Sequence, residues 1–192
     1  MRKITINLAA VAAFCIVVAS PALVSSSCAT PKTEQEDTTI IREDSGITAL
    51  KYSSPEVPAS IEFCGKTIDL SRFDRHERMD RELLAFTYMH STSLQMLKKA
   101  NRYFPIVEPI LKENGIPDDF KYLMVIESNM NPTARSSAGA AGLWQFMQGT
   151  GRDYGLEVNN NVDERYHIEK ATRAACRYLK DAYAKYKDWV AV

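Results

Sequence analysis

The sequence predicts a mainly α protein, and three observations favour this class. Between about residues 73 and 186, apolar side chains recur at steps of three and four, the spacing of one face of a helix. No convincing series of alternating strand-like segments occurs, and no internal repeat is evident. A length of 192 residues leaves room for one compact domain with appendages.

The first 28 residues are predicted to be an export signal rather than part of the fold. Arg2 and Lys3 precede an unbroken apolar run, residues 8–19, which is shorter than the about 20 residues that span a bilayer. A small and polar stretch then leads to Cys28, as in lipoprotein signals, although Ser25 stands where that pattern has an aliphatic residue. We expect export to the periplasm and membrane anchoring through a lipidated Cys28; ordinary signal cleavage is the alternative.

Two segments are predicted to follow the signal before the second half of the chain. Residues 29–60 are polar, charged and poor in large apolar side chains, so we expect a flexible tether. Residues 61–117 are predicted to be a helical extension, which opens with a small hairpin or strap at 61–70 around Gly65. Residues 118–192 then form a domain of their own.

The helices of the extension are predicted from periodicity and from breakers. The first begins near Phe73. Ser91 or Ser93 is predicted to cap the second, and Pro105 and Pro109 are predicted to limit or kink it.

Three further helices are predicted in the second half of the chain. Asp118 or Asp119 is expected to cap a helix over residues 120–128. Residues 143–154 predict another helix, closed by Gly155. The clearest helical spacing belongs to the last segment, in which apolar residues recur at Ile168, Ala171, Ala175, Leu179, Ala182 and Tyr186.

Composition excludes several classes of function. Lys plus Arg and Asp plus Glu both total 24, and no basic stripe is present, so nucleic acid is not an expected partner. The three histidines are scattered and no CxxC pair occurs, so neither a metal nor another cofactor is predicted. Cys64 and Cys176 are expected to be buried free thiols, with a disulfide as the alternative. The oligomeric state is not indicated.

Glu127 is the most unusual charge in the sequence. Counting back by helical steps gives Leu123 and Phe120, with Met124 beside them, so the carboxyl continues an apolar stripe. Partial burial would raise its pKa, as a general acid requires. Spacing alone also fits a glutamate that leaves the core at a helix end and has no function.

A run of small residues follows Glu127. Residues 136–142 let a backbone approach a ligand closely, so this segment is predicted to form either the wall of a groove or a plain loop. Trp144 fits a sugar-stacking platform, but a core position is favoured.

The motifs of this region together resemble the soluble lytic transglycosylase family. The resemblance covers residues 118–192, and residues 73–117 resemble the helical extension of its membrane-bound D-type members. The motifs that carry it are Glu127-Ser128, Asn131-Pro132-Thr133-Ala134-Arg135-Ser136, Ala138-Gly139-Ala140-Ala141-Gly142-Leu143-Trp144-Gln145-Phe146-Met147, Thr150-Gly151 and Asp163-Glu164-Arg165.

This resemblance implies a lysozyme-like domain with a groove for glycan strands of peptidoglycan. It implies that Glu127 is catalytic, that Ser136 contacts the substrate near an N-acetyl group, and that Gln145 and Met147 line the groove. Residues 163–165 are expected to be structural, as a helix cap and salt-bridge cluster. Because Val192 precedes the Ala-Tyr-Asn motif of the family, the domain is expected to be incomplete at its C-terminal end, and the chain weakly active or inactive.

The implied reaction cleaves the β-1,4 bond between N-acetylmuramic acid and N-acetylglucosamine without water. Glu127 would serve first as acid and then as base, leaving a 1,6-anhydromuramoyl end. Two other functions stay open: a hydrolytic muramidase on the same fold, and a non-catalytic lipoprotein that binds glycan strands.

Overall fold

The computed structural model describes residues 54–192. The predicted signal, the lipidation site Cys28 and most of the predicted tether therefore lie outside the described residues. In the described part, a hairpin and five α-helices confirm the mainly α class. None of these helices is long and apolar enough to cross a membrane.

The predicted hairpin is present at the start of this part. Strands β1 (Ser60–Phe63) and β2 (Lys66–Asp69) are antiparallel, and Phe63 pairs with Lys66 across the turn. The two turn residues have positive φ, 50° at Cys64 and 75° at Gly65. Ile61, Phe63 and Leu70 are buried in the common core, so the hairpin is packed onto the helices.

Two long helices follow, α1 (Phe73–Tyr88) and α2 (His90–Glu113). The predicted serine caps are wrong, because Met89 is the N-cap of α2 and Ser93 lies inside the helix, donating to Phe86 O at 2.5 Å. Nor do the prolines limit α2, which continues through Pro105 and Pro109. Both prolines are exposed, so water can reach the backbone carbonyls that they leave unbonded.

A short 3-10 helix, Asp118–Tyr122, leads into α3 (Leu123–Ser128). The predicted aspartate caps are wrong, because neither side chain bonds the start of this segment. Asp119 accepts a hydrogen bond from the Cys64 N–H at 2.7 Å instead, and Asp118 pairs with Lys121. The aspartates thus bind other parts of the surface, one of them the hairpin turn.

The helix predicted over residues 143–154 is correct only in its second half. Helix α4 spans Gln148–Asp153, whereas residues 143–145 form turns and Phe146 lies in a bridge. Ala141 makes an isolated antiparallel bridge with Phe146, and Gln145 has a φ of 47°, outside the helical region. The left-handed conformation at Gln145 interrupts the helical path that the apolar spacing suggested.

The last helix, α5 (Ile168–Tyr186), begins after a short 3-10 helix, Glu164–Tyr166. Its N-cap is His167, whose side chain accepts from the Lys170 N–H. Its apolar face is buried, and it packs along α2. The core is therefore continuous between the extension and the second half of the chain, and the boundary predicted near residue 117 stays a prediction.

Both described cysteines are free thiols, so the disulfide alternative is wrong. Cys176 is buried in α5, and Cys64 is half-buried in the hairpin turn. Burial raises the pKa of Cys64 to about 12, with Asp119 and Asp188 contributing, and burial raises the pKa of Cys176 to about 11. Both thiols therefore stay protonated and unreactive near neutral pH.

Candidate active site

Glu127 lies in the last turn of α3, on the stripe that the sequence predicted. Phe120 is 2% exposed and Met124 fully buried, so the stripe enters the core below the carboxyl. Glu127 itself is exposed, and the expected partial burial therefore overstated how deep it lies. The apolar anchors fix the helix, while the carboxyl emerges at its end.

The surroundings of Glu127 still favour its protonated form. Removal of water by neighbouring protein raises the pKa of this carboxyl above its ordinary value of 4.5. Among the described residues, no hydrogen bond or ion pair engages its oxygens. A carboxyl that is accessible, unpaired and biased toward protonation can donate a proton to a ligand and take one back.

The backbone just after Glu127 is fixed by two polar contacts. Asn129 ends α3 in the left-handed conformation, with a φ of 50°, and its carbonyl accepts from Lys99 Nζ of α2 at 2.8 Å. Ser128 Oγ donates to Leu143 O at 2.9 Å and accepts from the Asn131 N–H at 3.3 Å. Ser128 therefore supports the helix end and connects it to the segment containing Leu143.

That segment, residues 134–147, includes the residues predicted to line a groove, and it is called the substrate loop below because of that prediction. Ser136 Oγ accepts from the Ala140 N–H at 3.0 Å, which stabilises the tight turn of small residues. Gln145 Nε2 donates to Gly142 O at 2.8 Å and to Ala134 O at 3.3 Å, which closes the loop on itself. Ser136 and Gln145 thus lie on one compact loop.

Two further side chains of the substrate loop have different environments. Met147 is 46% exposed at the N-terminus of α4, where an apolar surface is available to a ligand. Trp144 is 7% exposed, and its Nε1 donates to Thr172 Oγ1 of α5 at 3.0 Å. The preferred core position of Trp144 is therefore confirmed, and it does not form a sugar platform.

The acidic and basic residues before α5 form the predicted cap and salt-bridge cluster. Asp163 accepts from the Arg165 N–H at 3.2 Å and pairs with its guanidinium at 2.7 Å, while Glu164 pairs with Lys170. Hydrogen bonding from Arg165 lowers the pKa of Asp163, so this carboxyl is ionised and engaged. It is unsuited to be a second catalytic acid.

The sequence missed two sets of contacts that hold the site from outside, one on the substrate loop and one on the end of α3. Arg165 donates to two carbonyls of this loop, and Lys99 reaches the end of α3 from the extension. The spacing of Asp163 and Arg165 indicated a local ion pair, but it did not indicate that Arg165 also bonds two carbonyls of the loop. The Lys99 contact had no signal in the local sequence.

Comparison with known families supports the interpretation of this region. Residues 105–192 match the family model described as Transglycosylase SLT domain. This part of the chain is therefore similar to a transglycosylase SLT domain. The match begins within α2, so the matched region includes the C-terminal part of that helix as well as Glu127 and the substrate loop.

Three curated relatives are similar to about half of the chain. Membrane-bound lytic murein transglycosylase D of Escherichia coli strain K12 is 32% identical over 104 residues, which are 54% of this chain and 22% of the relative. The protein of the same name from E. coli O6:H1 aligns equally well. A putative tributyltin chloride resistance protein of Alteromonas sp. strain M-1 is 22% identical over 103 residues, 53% of this chain and 50% of the relative. The chain thus spans about a fifth of the length of the E. coli relatives.

Proposed function

We propose that the chain is a peptidoglycan lytic transglycosylase with Glu127 as its acid and base. The observation that carries the proposal is the unpaired Glu127 carboxyl at the end of α3, with its pKa raised because neighbouring protein removes water, next to the substrate loop of the region that matches the SLT family model. The names of the E. coli relatives support the same activity.

In the first step, protonated Glu127 donates to the oxygen that links C1 of N-acetylmuramic acid to N-acetylglucosamine. The C1–O bond breaks, and the acetamido oxygen of the muramic acid bonds C1 to stabilise its positive charge. Ser136 contacts the acetamido group and orients it for this attack. Gln145 and Met147 line the groove beside it.

In the second step, the Glu127 carboxylate removes the proton of the C6 hydroxyl. The C6 oxygen bonds C1 as the bond from the acetamido oxygen breaks, which yields a 1,6-anhydro end and restores protonated Glu127. No water is consumed. One carboxyl therefore suffices, whereas most glycosidases need two.

A position at the cell wall completes the proposal. Export and a lipid anchor at Cys28 would place the enzyme in the periplasm on a membrane, next to its polymer. The support is the signal-like start of the sequence and the membrane-bound naming of the E. coli relatives. A lipoprotein generally needs two or more acyl chains for stable attachment.

Substitution of the proposed acid tests the activity. We expect Glu127→Gln to reduce release of soluble muropeptides from purified peptidoglycan by about 100-fold or more, because the amide can neither donate nor accept the proton. The matched control is Glu169→Gln, which removes an exposed carboxyl from the first turn of α5 and should change release by less than about twofold. Long incubation with mass spectrometric detection also reveals slow turnover. Equal release by wild type and Glu127→Gln, above the background of peptidoglycan without protein, would contradict the proposal.

A further inference from the structure

Arg165 is a buried cation that contacts the substrate loop at two separate points. Arg165 is 4% exposed. The Nη1 group donates to Gly139 O at 2.8 Å and to Phe146 O at 3.0 Å. One nitrogen therefore joins the turn of small residues to the far end of the loop.

The other side of the guanidinium is held by Asp163. Nε lies 2.9 Å from Asp163 Oδ1, and Nη2 lies 2.7 Å from Oδ2. This paired arrangement fixes the plane of the guanidinium and so the direction of Nη1. A lysine, whose donors share one nitrogen, cannot bind the carboxylate on one side and both loop carbonyls on the other.

The backbone of Arg165 also fits closely against the same loop. A Cβ atom at Gly142 would lie 1.9 Å from Arg165 O, so only glycine permits this approach. Gln145 donates to the carbonyl of that same glycine. Both the main chain and the side chain of Arg165 therefore contact the loop that positions Gln145.

We propose that Arg165 is a positioning residue for glycan binding, which sets the geometry of Ser136 and Gln145 without touching the substrate. The inference rests on the proposed function, since it assumes that the substrate loop binds glycan. It goes beyond a local ion pair, because the loop carbonyls lie 19 and 26 residues away in sequence. Loss of the guanidinium contacts of Arg165 would leave the loop folded but misplaced.

Binding without turnover tests this role. The probe is a tetrasaccharide of alternating N-acetylglucosamine and N-acetylmuramic acid, titrated by calorimetry against the 192-residue chain carrying Glu127→Gln. Adding Arg165→Lys should raise Kd at least about tenfold, because small misplacements of binding groups are costly. The matched control Arg152→Lys changes a guanidinium that donates to Val158 O, outside the substrate loop, and should change Kd by less than about twofold.

The outcomes separate this inference from the proposed function. Equal Kd values with and without Arg165→Lys would overturn the positioning role alone, whereas no binding by the Glu127→Gln chain would overturn glycan recognition and this role with it. If Arg165→Lys does not fold, as judged by circular dichroism, Asp163→Asn replaces it. That variant retains the guanidinium but weakens its pairing with residue 163, and we expect Kd to rise about threefold. An unchanged Kd would again contradict the positioning role.

Discussion

Glu127 shows how a side chain can be accessible and still have an altered pKa. Its helix is anchored by Phe120 and Met124, while the carboxyl lies at the exposed end of α3 without an ionic partner among the described residues. Protein on one side removes water that would stabilise the charge, and solvent on the other side leaves room for a ligand. This combination suits a group that must lose and regain one proton.

The raised pKa of Glu127 predicts a pH-dependent cost to stability. The pKa of this carboxyl is higher in the folded protein than in the unfolded chain, where it is near 4.5. Such a group favours folding at pH values below the unfolded-state pKa, and this contribution to stability is lost as pH rises through the folded-state pKa. Glu127→Gln should therefore raise Tm at pH 7, and the gain should vanish below about pH 4. Thermal unfolding followed by circular dichroism at both pH values measures this, and a lower Tm for the variant at pH 7 would contradict it.

At the scale of elements, the substrate loop combines internal hydrogen bonds with contacts to α3 and to the segment before α5. Backbone bonds such as the one from the Gly142 N–H to Ala134 O close the loop on itself, while Ser128 bonds Leu143 and Arg165 bonds Gly139 and Phe146 from outside. The run of small residues in the local sequence predicted that the backbone of this loop permits close approach. The local sequence did not predict the turns at residues 143–145, because the apolar spacing there resembles a helix and does not reveal the left-handed conformation of Gln145 or the bridge between Ala141 and Phe146.

Two glycines of the substrate loop allow a matched test of this close packing. Both have positive φ, 79° at Gly142 and 90° at Gly139, so an alanine is strained at either position. Only at Gly142 would the added Cβ also meet backbone, 1.9 Å from Arg165 O, whereas it meets nothing within 4 Å at Gly139. We expect Gly142→Ala to cost about 3 kcal/mol or more and Gly139→Ala about 1 kcal/mol in the free energy of unfolding. Urea denaturation compares the unfolding free energies of the two variants. Equal costs would show that residue 142 is not packed closely against Arg165 O.

At the scale of the whole molecule, the hairpin joins regions that are distant in sequence. Cys64 N–H bonds Asp119 before α3, and Lys66 pairs with Asp188 after α5 at 2.6 Å. Trp189 stacks on Tyr183 with ring centroids 4.1 Å apart and meets the edge of Phe120. The sequence predicted a strap from its apolar residues and Gly65, but its partners depend on the folded arrangement of three helices.

The apolar anchors of the hairpin, rather than its surface charges, should determine its contribution to stability. Phe63 is 1% exposed, so Phe63→Ala should cost about 3–5 kcal/mol in the free energy of unfolding. Lys66→Ala breaks only the exposed pair with Asp188 and should cost less than about 1 kcal/mol. Urea unfolding monitored by tryptophan fluorescence gives both values. A cost below about 1 kcal/mol for Phe63→Ala would mean that the hairpin folds independently of the core.

The mass of the released products tests most directly whether Glu127 drives a reaction that consumes no water. Purified peptidoglycan is incubated with the chain in water labelled with oxygen-18, and the soluble fragments are analysed by mass spectrometry. We predict anhydro ends, lighter than reducing ends by one water and free of label, which disappear with Glu127→Gln. Labelled reducing ends would contradict the proposed chemistry and indicate hydrolysis, and unlabelled anhydro ends that persist in Glu127→Gln would show that another group moves the proton.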